Sequence, residues 1–364
     1  MKIIHIVGDS KFGGGSVIIS QLVIDQHLAG NDVSVLSTDL EFSAFLTSHD
    51  IKVVPLDCIW RSYNLFADVY GVLKLAKYLK KEKFDVVHTH TTKAGFVGRV
   101  AAWVAKVKYI VHTVHGFPFS EVSSKLKIKV FTFLESLLFS ISTKVVFVSN
   151  YHLNWAKELN IVKGAGDVAI AIRNGVEPVE AQCVDRLDEQ LPRVIFIGRM
   201  VREKGIFDLL AAYQNLQKSG LSLKLLFIGD GPDLEALKAA AKNDLSVGFT
   251  GFVTNVPLLV CKDDFFVLPS YREGLSISAI EAQSMGLASI LSDVGGNVEV
   301  SDNGNAALTY RVSDTADLTD KLLMLLSDKM LRDKLKIAAS VNFNNSFTSF
   351  RMLNEYKKLY SEFN

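Results

Sequence analysis

Short β-branched runs alternate with helix-period segments along this chain, and the alternation starts twice. The runs "KIIHIV", "DVSVLS", "DVVHTH", "YIVHTV", "KVVFVS" and "DVAIAI" recur through the first half, with segments such as "SVIISQLVIDQHLAG" between them. Strands alternating with helices fit a parallel, doubly wound sheet, because a parallel crossover needs a connection of helix length. The same grammar resumes at "RVIFIG" and continues through "LKLLFIG", "DFFVLPS", "LASILSD" and "AALTY". Between the two series, the stretch from Arg173 to Arg193 loses periodicity and gains Asn-Gly, prolines and charge, as a connection does. The pattern therefore predicts an α/β chain of two Rossmann-like, doubly wound parallel-sheet domains, residues 1–174 and 175–346. A last segment, 347–364, carries Met352, Tyr356, Leu359, Tyr360 and Phe363 at helical spacing and predicts an amphipathic helix. Its 364 residues, 49% hydrophobic, exceed what one compact layer holds.

The charge balance narrows the partners. Forty basic against 39 acidic residues leave a formal charge of +1, without the signature of a nucleic-acid partner. The distribution is uneven, with 12 basic and 3 acidic residues between Lys74 and Lys129. There "YGVLKLAKYLKKEKF" and "SSKLKIKVFTFLESLLFS" mix lysines with apolar residues, and Leu126, Val130, Phe133, Leu134, Leu137 and Leu138 follow helical spacing. Two readings stand: a core helix with solvated lysines, or a surface that docks on an anionic cytoplasmic leaflet. Cys58, Cys183 and Cys261 lie far apart without metal-ligand spacing, which predicts unpaired thiols in a reducing, cytoplasmic compartment. The chain opens on a strand, and no run of about eighteen uncharged apolar residues predicts a membrane span.

In doubly wound sheets, ligands bind where loops leave the carboxyl ends of strands. After the first strand, "GDSKFGGGSVII" places Gly14 and Gly15 where a helix begins, a setting for an oxygen-rich ligand, and the dinucleotide fingerprint G-x-G-x-x-G is absent. His88, His90, His112 and His115 follow strand ends, but their spacing and the lack of a nearby carboxylate favour hydrogen-bonded histidines over a metal site, so no metal is expected. His115, directly before a glycine, is placed to donate a hydrogen bond to a substrate. Arg199 and Lys204 in "GRMVREKG" flank a strand-to-helix loop where two cations neutralise a diphosphate. Gly229 and Gly231 mark a second such loop. In "SYREGLSISAIEAQSMG", Glu273 precedes a helix starting near Ser276, and Glu281 lies one to two turns into it. Between them the amides of Gly274, Leu275 and Ser276 favour an anion by about 0.3–1 kcal/mol from the helix dipole. Carboxylates accept hydrogen bonds from diols. A ligand with hydroxyls at both ends and phosphates between them is a nucleotide diphospho-sugar, with its ribose on Glu281 and its sugar on Glu273.

This constellation resembles the retaining glycosyltransferases of the GT-B fold, in particular glycosyltransferase family 4, with its glutamate, seven residues, glutamate motif. The Gly13–Gly15 loop, "HTVHG", "RNGVE", "GRMVREKG", "IGDGP", "EGLSISAIE" and "SDVGGNVEV" stand in family order along essentially the whole chain. The resemblance implies two domains facing a cleft, the last helix crossing back to the first, acceptor-side domain. It implies catalytic roles for Arg199, Lys204, Glu273 and His115, and donor contacts from Gly14, Gly15, Gly229, Gly231, Gly274, Leu275, Ser276 and Glu281. It further implies a UDP-linked donor that is a substrate rather than a cofactor, metal-independent transfer with retained configuration, and a saccharide or polyprenyl-linked saccharide acceptor in bacterial surface-polysaccharide assembly. The rival readings are a nucleotide-sugar epimerase or hydrolase of the same fold, and a non-catalytic nucleotide-sugar-binding protein.

Overall fold

The computed structural model describes residues 1–8, 13–60, 64–119, 123–162, 167–183, 191–242 and 244–363. The chain forms two compact units, one of Met1–Asn174 with Phe350–Asn364 and one of Gly175–Ser349.

The first unit is built on seven strands: β1 (Lys2–Gly8), β2 (Asp32–Ser37), β3 (Lys52–Val54), β4 (Val86–His90), β5 (Tyr109–Val114), β6 (Lys144–Phe147) and β7 (Ala169–Ala171). All pairings are parallel, in the order β3-β2-β1-β4-β5-β6-β7. Helices cover both faces, which is why the central strands are buried almost along their whole length, the polar His5, Ser34 and His88 included. On one face Ile4, Ile6 and Val87 pack with Leu75, Leu79, Val97 and Ala101; on the other Val7 and Val35 pack with Ile19, Val23, Phe42 and Leu46. Because β1 lies between β2 and β4, its loop and that of β4 open at the switch point of the sheet.

The helix Ser349–Ser361 returns to this unit, where its Met352, Tyr356, Leu359 and Tyr360 are buried. Phe363 stacks on Tyr109 at 4.4 Å, and Lys357 pairs with Asp25 at 2.8 Å. The helix Lys125–Ser140, started by Ser124 accepting from the Lys127 amide, behaves differently. Leu138 and Phe139 are buried, and Glu135 meets the buried Arg99 at 2.8 Å. That pair takes the inward side, so the stripe of Leu126, Val130, Phe133 and Leu137 is exposed instead of entering the core, Leu126 by 73% and Phe133 by 63%.

The second unit has six parallel strands: β8 (Arg193–Ile197), β9 (Lys224–Ile228), β10 (Val247–Phe249), β11 (Phe265–Leu268), β12 (Ala288–Ser292) and β13 (Leu308–Tyr310). Their order is β10-β9-β8-β11-β12-β13, with the switch between β8 and β11. Asp264, fully buried, takes Arg193 in a two-point contact at 3.0 and 2.7 Å and accepts from the Cys261 amide. Its carboxylate is thus committed to holding the start of β8 against β11.

The cysteines are not all the unpaired thiols that their spacing predicts. Cys183 and Cys261, 78 residues apart, form a disulfide with their Cα atoms 4.8 Å apart. The Cys183 amide donates to Val260 O, a tertiary contact that brings the distant cysteines together and that spacing cannot reveal. Unpaired thiols therefore no longer argue for a reducing compartment. Only Cys58 is free, and burial pushes its thiol up to about 12. Among the described residues, no helix is long and apolar enough to cross a membrane.

Candidate functional site

In the second unit, the loops leaving β8, β9, β11 and β12 are laced together by backbone contacts that only glycine allows. After β8, exposed Arg199 leads into a single helical turn, Arg202–Lys204, ended by Gly205 at φ 67. A Cβ on Gly205 would stand 1.9 Å from Pro269 O, so the turn lies directly against the end of the β11 strand. The Tyr271 amide donates to Glu203 O at 2.8 Å and fixes the β11 loop in turn. The consequence is chemical: Lys204 Nζ sits 2.5 Å from Glu273 Oε1, with the Glu273 side chain only 9% exposed. Two of the residues singled out in the sequence thus form one ion pair.

Glu273 is held from behind as well. Gly295, at φ 50, approaches so closely that a Cβ would meet Glu273 O at 2.1 Å, and the Gly296 amide donates to the same oxygen at 3.3 Å. Gly205, Gly295 and Gly296 were missed as site residues in the sequence reading. The double glycine after a strand end in "SDVGGNVEV" is the signal that was available. Gly229 and Gly231 find a similar explanation, because a Cβ on them would stand 2.0 Å from Gly198 O and 2.4 Å from Met200 O. Their missing side chains let the β9 loop lie against the loop that carries Arg199.

Ser276 caps the helix Ile277–Ser284, its hydroxyl accepting from the Ala279 amide. No acceptor among the described residues takes the amides of Gly274, Leu275 or Ser276, so this helix end presents unsatisfied donors beside the Lys204–Glu273 pair. On the helix itself, burial pushes the Glu281 carboxyl up to about 7, with no charge or donor among the described residues to offset it. A buried carboxylate without a protein partner is costly, and ligand hydroxyls would relieve that cost.

In the first unit, Gly14 and Gly15 open the helix Gly14–Leu28 and are exposed. A Cβ on Gly15 would meet no described residue within 4 Å. Residues 9–12 of the same loop lie outside the described residues. His115, half-buried after β5, bonds to His90 at 3.2 Å between Nε2 and Nδ1. His90 in turn bonds to His5 at 3.0 Å, and His5 to Gln26 Oε1 at 2.7 Å. The β1–β4 register sets His5 beside His88, and His88 bonds to Tyr360 and Thr113, both at 2.8 Å. Ligand atoms of His5, His88 and His90 come within 4.8 Å of one another. Each ring nitrogen of these three already has a hydrogen-bond partner, so they are satisfied as a hydrogen-bonded cluster, with burial holding all of them neutral. His5 was not singled out in the sequence; a histidine inside the apolar run "KIIHIV" was its trace.

Residues 191–328 match the family described as Glycosyl transferases group 1, and residues 12–179 match Glycosyltransferase Family 4. A UDP-Gal:alpha-D-GlcNAc-diphosphoundecaprenol alpha-1,3-galactosyltransferase of Escherichia coli is 30% identical, over 84% of this chain and 82% of its own. The capsular polysaccharide biosynthesis glycosyltransferase CapM of Staphylococcus aureus is 26% identical, over 100% of this chain and 97% of its own. The crystal structure of Anabaena HepE in complex with UDP and glucose has the same fold, with a TM-score of 0.82, 18% identity and 99% of each chain covered.

Proposed function

Because this chain belongs to the family 4, group 1 glycosyltransferases, we propose that it moves a sugar from a UDP-linked donor to a polyprenyl-diphosphate-linked saccharide in bacterial surface-glycan synthesis. The observation that carries the reading is the Lys204–Glu273 pair beside the unsatisfied amides of Gly274–Ser276, at the strand ends where such sheets bind ligands. The UDP-Gal donor and diphosphoundecaprenol-linked acceptor in the name of the Escherichia coli relative support the choice of UDP and of a diphosphoundecaprenol acceptor. The second unit takes the donor and the first unit the acceptor.

Transfer breaks the bond between the anomeric carbon and a diphosphate oxygen, leaving negative charge on the departing UDP. Stabilising that charge is the main task. Arg199, Lys204 and the amides of Gly274, Leu275 and Ser276 supply fixed positive potential, which takes the place of a divalent ion. Glu281 accepts from the ribose diol. Glu273, tethered by Lys204, accepts from hydroxyls of the sugar. Attack comes from the face the diphosphate leaves, with the departing oxygen taking the acceptor proton, so configuration is retained. Purified protein should convert a UDP-hexose and a short polyprenyl-diphosphate saccharide into the extended lipid and UDP, at an undiminished rate in excess chelator. UDP release without acceptor would favour the hydrolase reading. Loss of activity on chelation, restored by magnesium or manganese, would overturn the metal-independent one.

The exposed stripe of Leu126, Val130, Phe133 and Leu137 lies on the helix that also carries Lys125, Lys127 and Lys129. Apolar area beside lysines suits an anionic bilayer, each surface-near lysine contributing about 1 kcal/mol. That docking would bring the site to a lipid-linked acceptor. Binding to phosphatidylglycerol-containing vesicles should weaken with salt and fall at least about tenfold when the three lysines become Glu. A folded variant that binds as the parent does would remove this surface from the reading.

A further inference from the structure

Within the first unit, a cavity of about 250 Å³ lies between the helix Gly14–Leu28 and the last helix, Ser349–Ser361. Leu22, Tyr356 and Tyr360, all buried, form its apolar floor. Both tyrosine hydroxyls are engaged in the sheet, Tyr356 with Thr113 at 3.2 Å and Tyr360 with His88 at 2.8 Å, so what the two residues offer the cavity is ring. The rim carries Asp25 and Lys357, bonded to each other at 2.8 Å. Met1 and Asn31, which stand just before β1 and β2, also line the cavity and place it at the amino ends of these strands. The ligand-binding loops of a parallel sheet leave the carboxyl ends. Seven residues of β1, at about 3.3 Å each, put roughly 20 Å of strand between the two places.

The lining limits what such a cavity takes. Asp25 and Lys357 are the only charged side chains in it, and they cancel, so neither an anion nor a cation gains there. Lys357 approaches one oxygen of Asp25, Oδ1, which leaves the carboxylate further acceptor capacity and the ammonium further protons. An acceptor and a donor side by side match two adjacent hydroxyls, one donating and the next accepting. The apolar floor matches the C–H face of the ring that carries them. A volume below the about 300–1,000 Å³ of sites for drug-sized ligands admits one ring and not a nucleotide.

We propose that this cavity is a second saccharide site, which holds one neutral hexopyranose unit of a glycan through adjacent hydroxyls, apart from the place of transfer. Its walls come from helices at opposite ends of the chain, so an occupant ties the last helix to the first unit and stabilises it there. The site does not depend on the proposed function, because its occupancy is read without turnover.

Amide NMR of the full chain is followed during titration with the methyl α-glycosides of glucose, galactose and N-acetylglucosamine. At least one of them should shift the amides of residues 22–31 and 356–361 saturably, with a millimolar Kd. Asp25→Leu removes the acceptor, and Ala29→Trp fills the cavity from an exposed position in its lining. Each variant, its spectrum otherwise that of the folded parent, should weaken binding about tenfold or more. The methyl glycosides of glucuronic acid and glucosamine, which carry charge, should bind no more tightly than the neutral sugars. Shifts confined to other segments, affinity that survives both variants, or a charged sugar favoured by about tenfold overturns the proposal. A parent that binds glycosides here yet transfers no sugar upholds this site and overturns the proposed function alone.

Discussion

Lys204→Ala is expected to lower kcat by about 10²- to 10³-fold, the cost of removing one preorganised group that meets developing charge, about 2.7–4 kcal/mol. The effect should appear in kcat more than in KM, because the charge on the departing diphosphate is greatest in the transition state. Arg199→Ala should lose activity by a similar mechanism. The two differ in what they leave behind. Arg199 is exposed, whereas Lys204 is bonded to a Glu273 side chain that is only 9% exposed. Without its partner that carboxylate adds repulsion to the leaving group on top of the lost attraction. Lys204→Ala should therefore be worse than Arg199→Ala, and adding Glu273→Gln to Lys204→Ala should recover part of the loss. A double-mutant cycle on kcat measures the coupling. Near-wild-type turnover in both cation variants would sink the assignment of the leaving-group site, and strict additivity would sink the pairing argument.

Some of this was legible in the sequence, for a physical reason. The β-branched runs alternating with helical segments mark most of the strands, whereas the strand orders and their switch points come from the structure. The helix start at Ser276 was legible because its cap is local. What escaped is what depends on distant partners. Lys204 and Glu273 are 69 residues apart, and only the close approach of Gly205 to Pro269 makes them neighbours. The histidine row needs the register of β1 on β4, which pairs His5 with His88 and sets His90 within reach. Periodicity leaves the stripe on Lys125–Ser140 open between core and surface, and it takes the buried Arg99–Glu135 pair to turn it outward. The Cys183–Cys261 bond belongs to the same class.

Glu281→Gln is expected to make the protein more stable and the enzyme worse. The Glu281 carboxyl ionises at about 7 in the folded chain against a reference value of 4.5, burial being the cause. Since the folded value is raised, stability is greatest below pH 4.5, declines as pH rises through about 7, and is lower by about 3 kcal/mol above that, at about 1.36 kcal/mol for each pH unit of displacement. Glutamine carries no charge to desolvate. Denaturant unfolding should therefore find parent and variant alike near pH 4 and the variant ahead by up to about 3 kcal/mol at pH 8. The donor reverses this preference. Ribose hydroxyls donate to the carboxylate, so binding favours its ionised form and releases a proton when pH is below about 7. UDP affinity of the parent should rise with pH and level off above about 7, while the variant binds more weakly and without that pH dependence. Calorimetric titration with UDP in buffers of different ionisation heat reads both the affinity and the proton. If the variant gains nothing at pH 8, the buried charge is compensated by the protein; if UDP affinity is flat across this range in the parent, Glu281 does not hold the ribose.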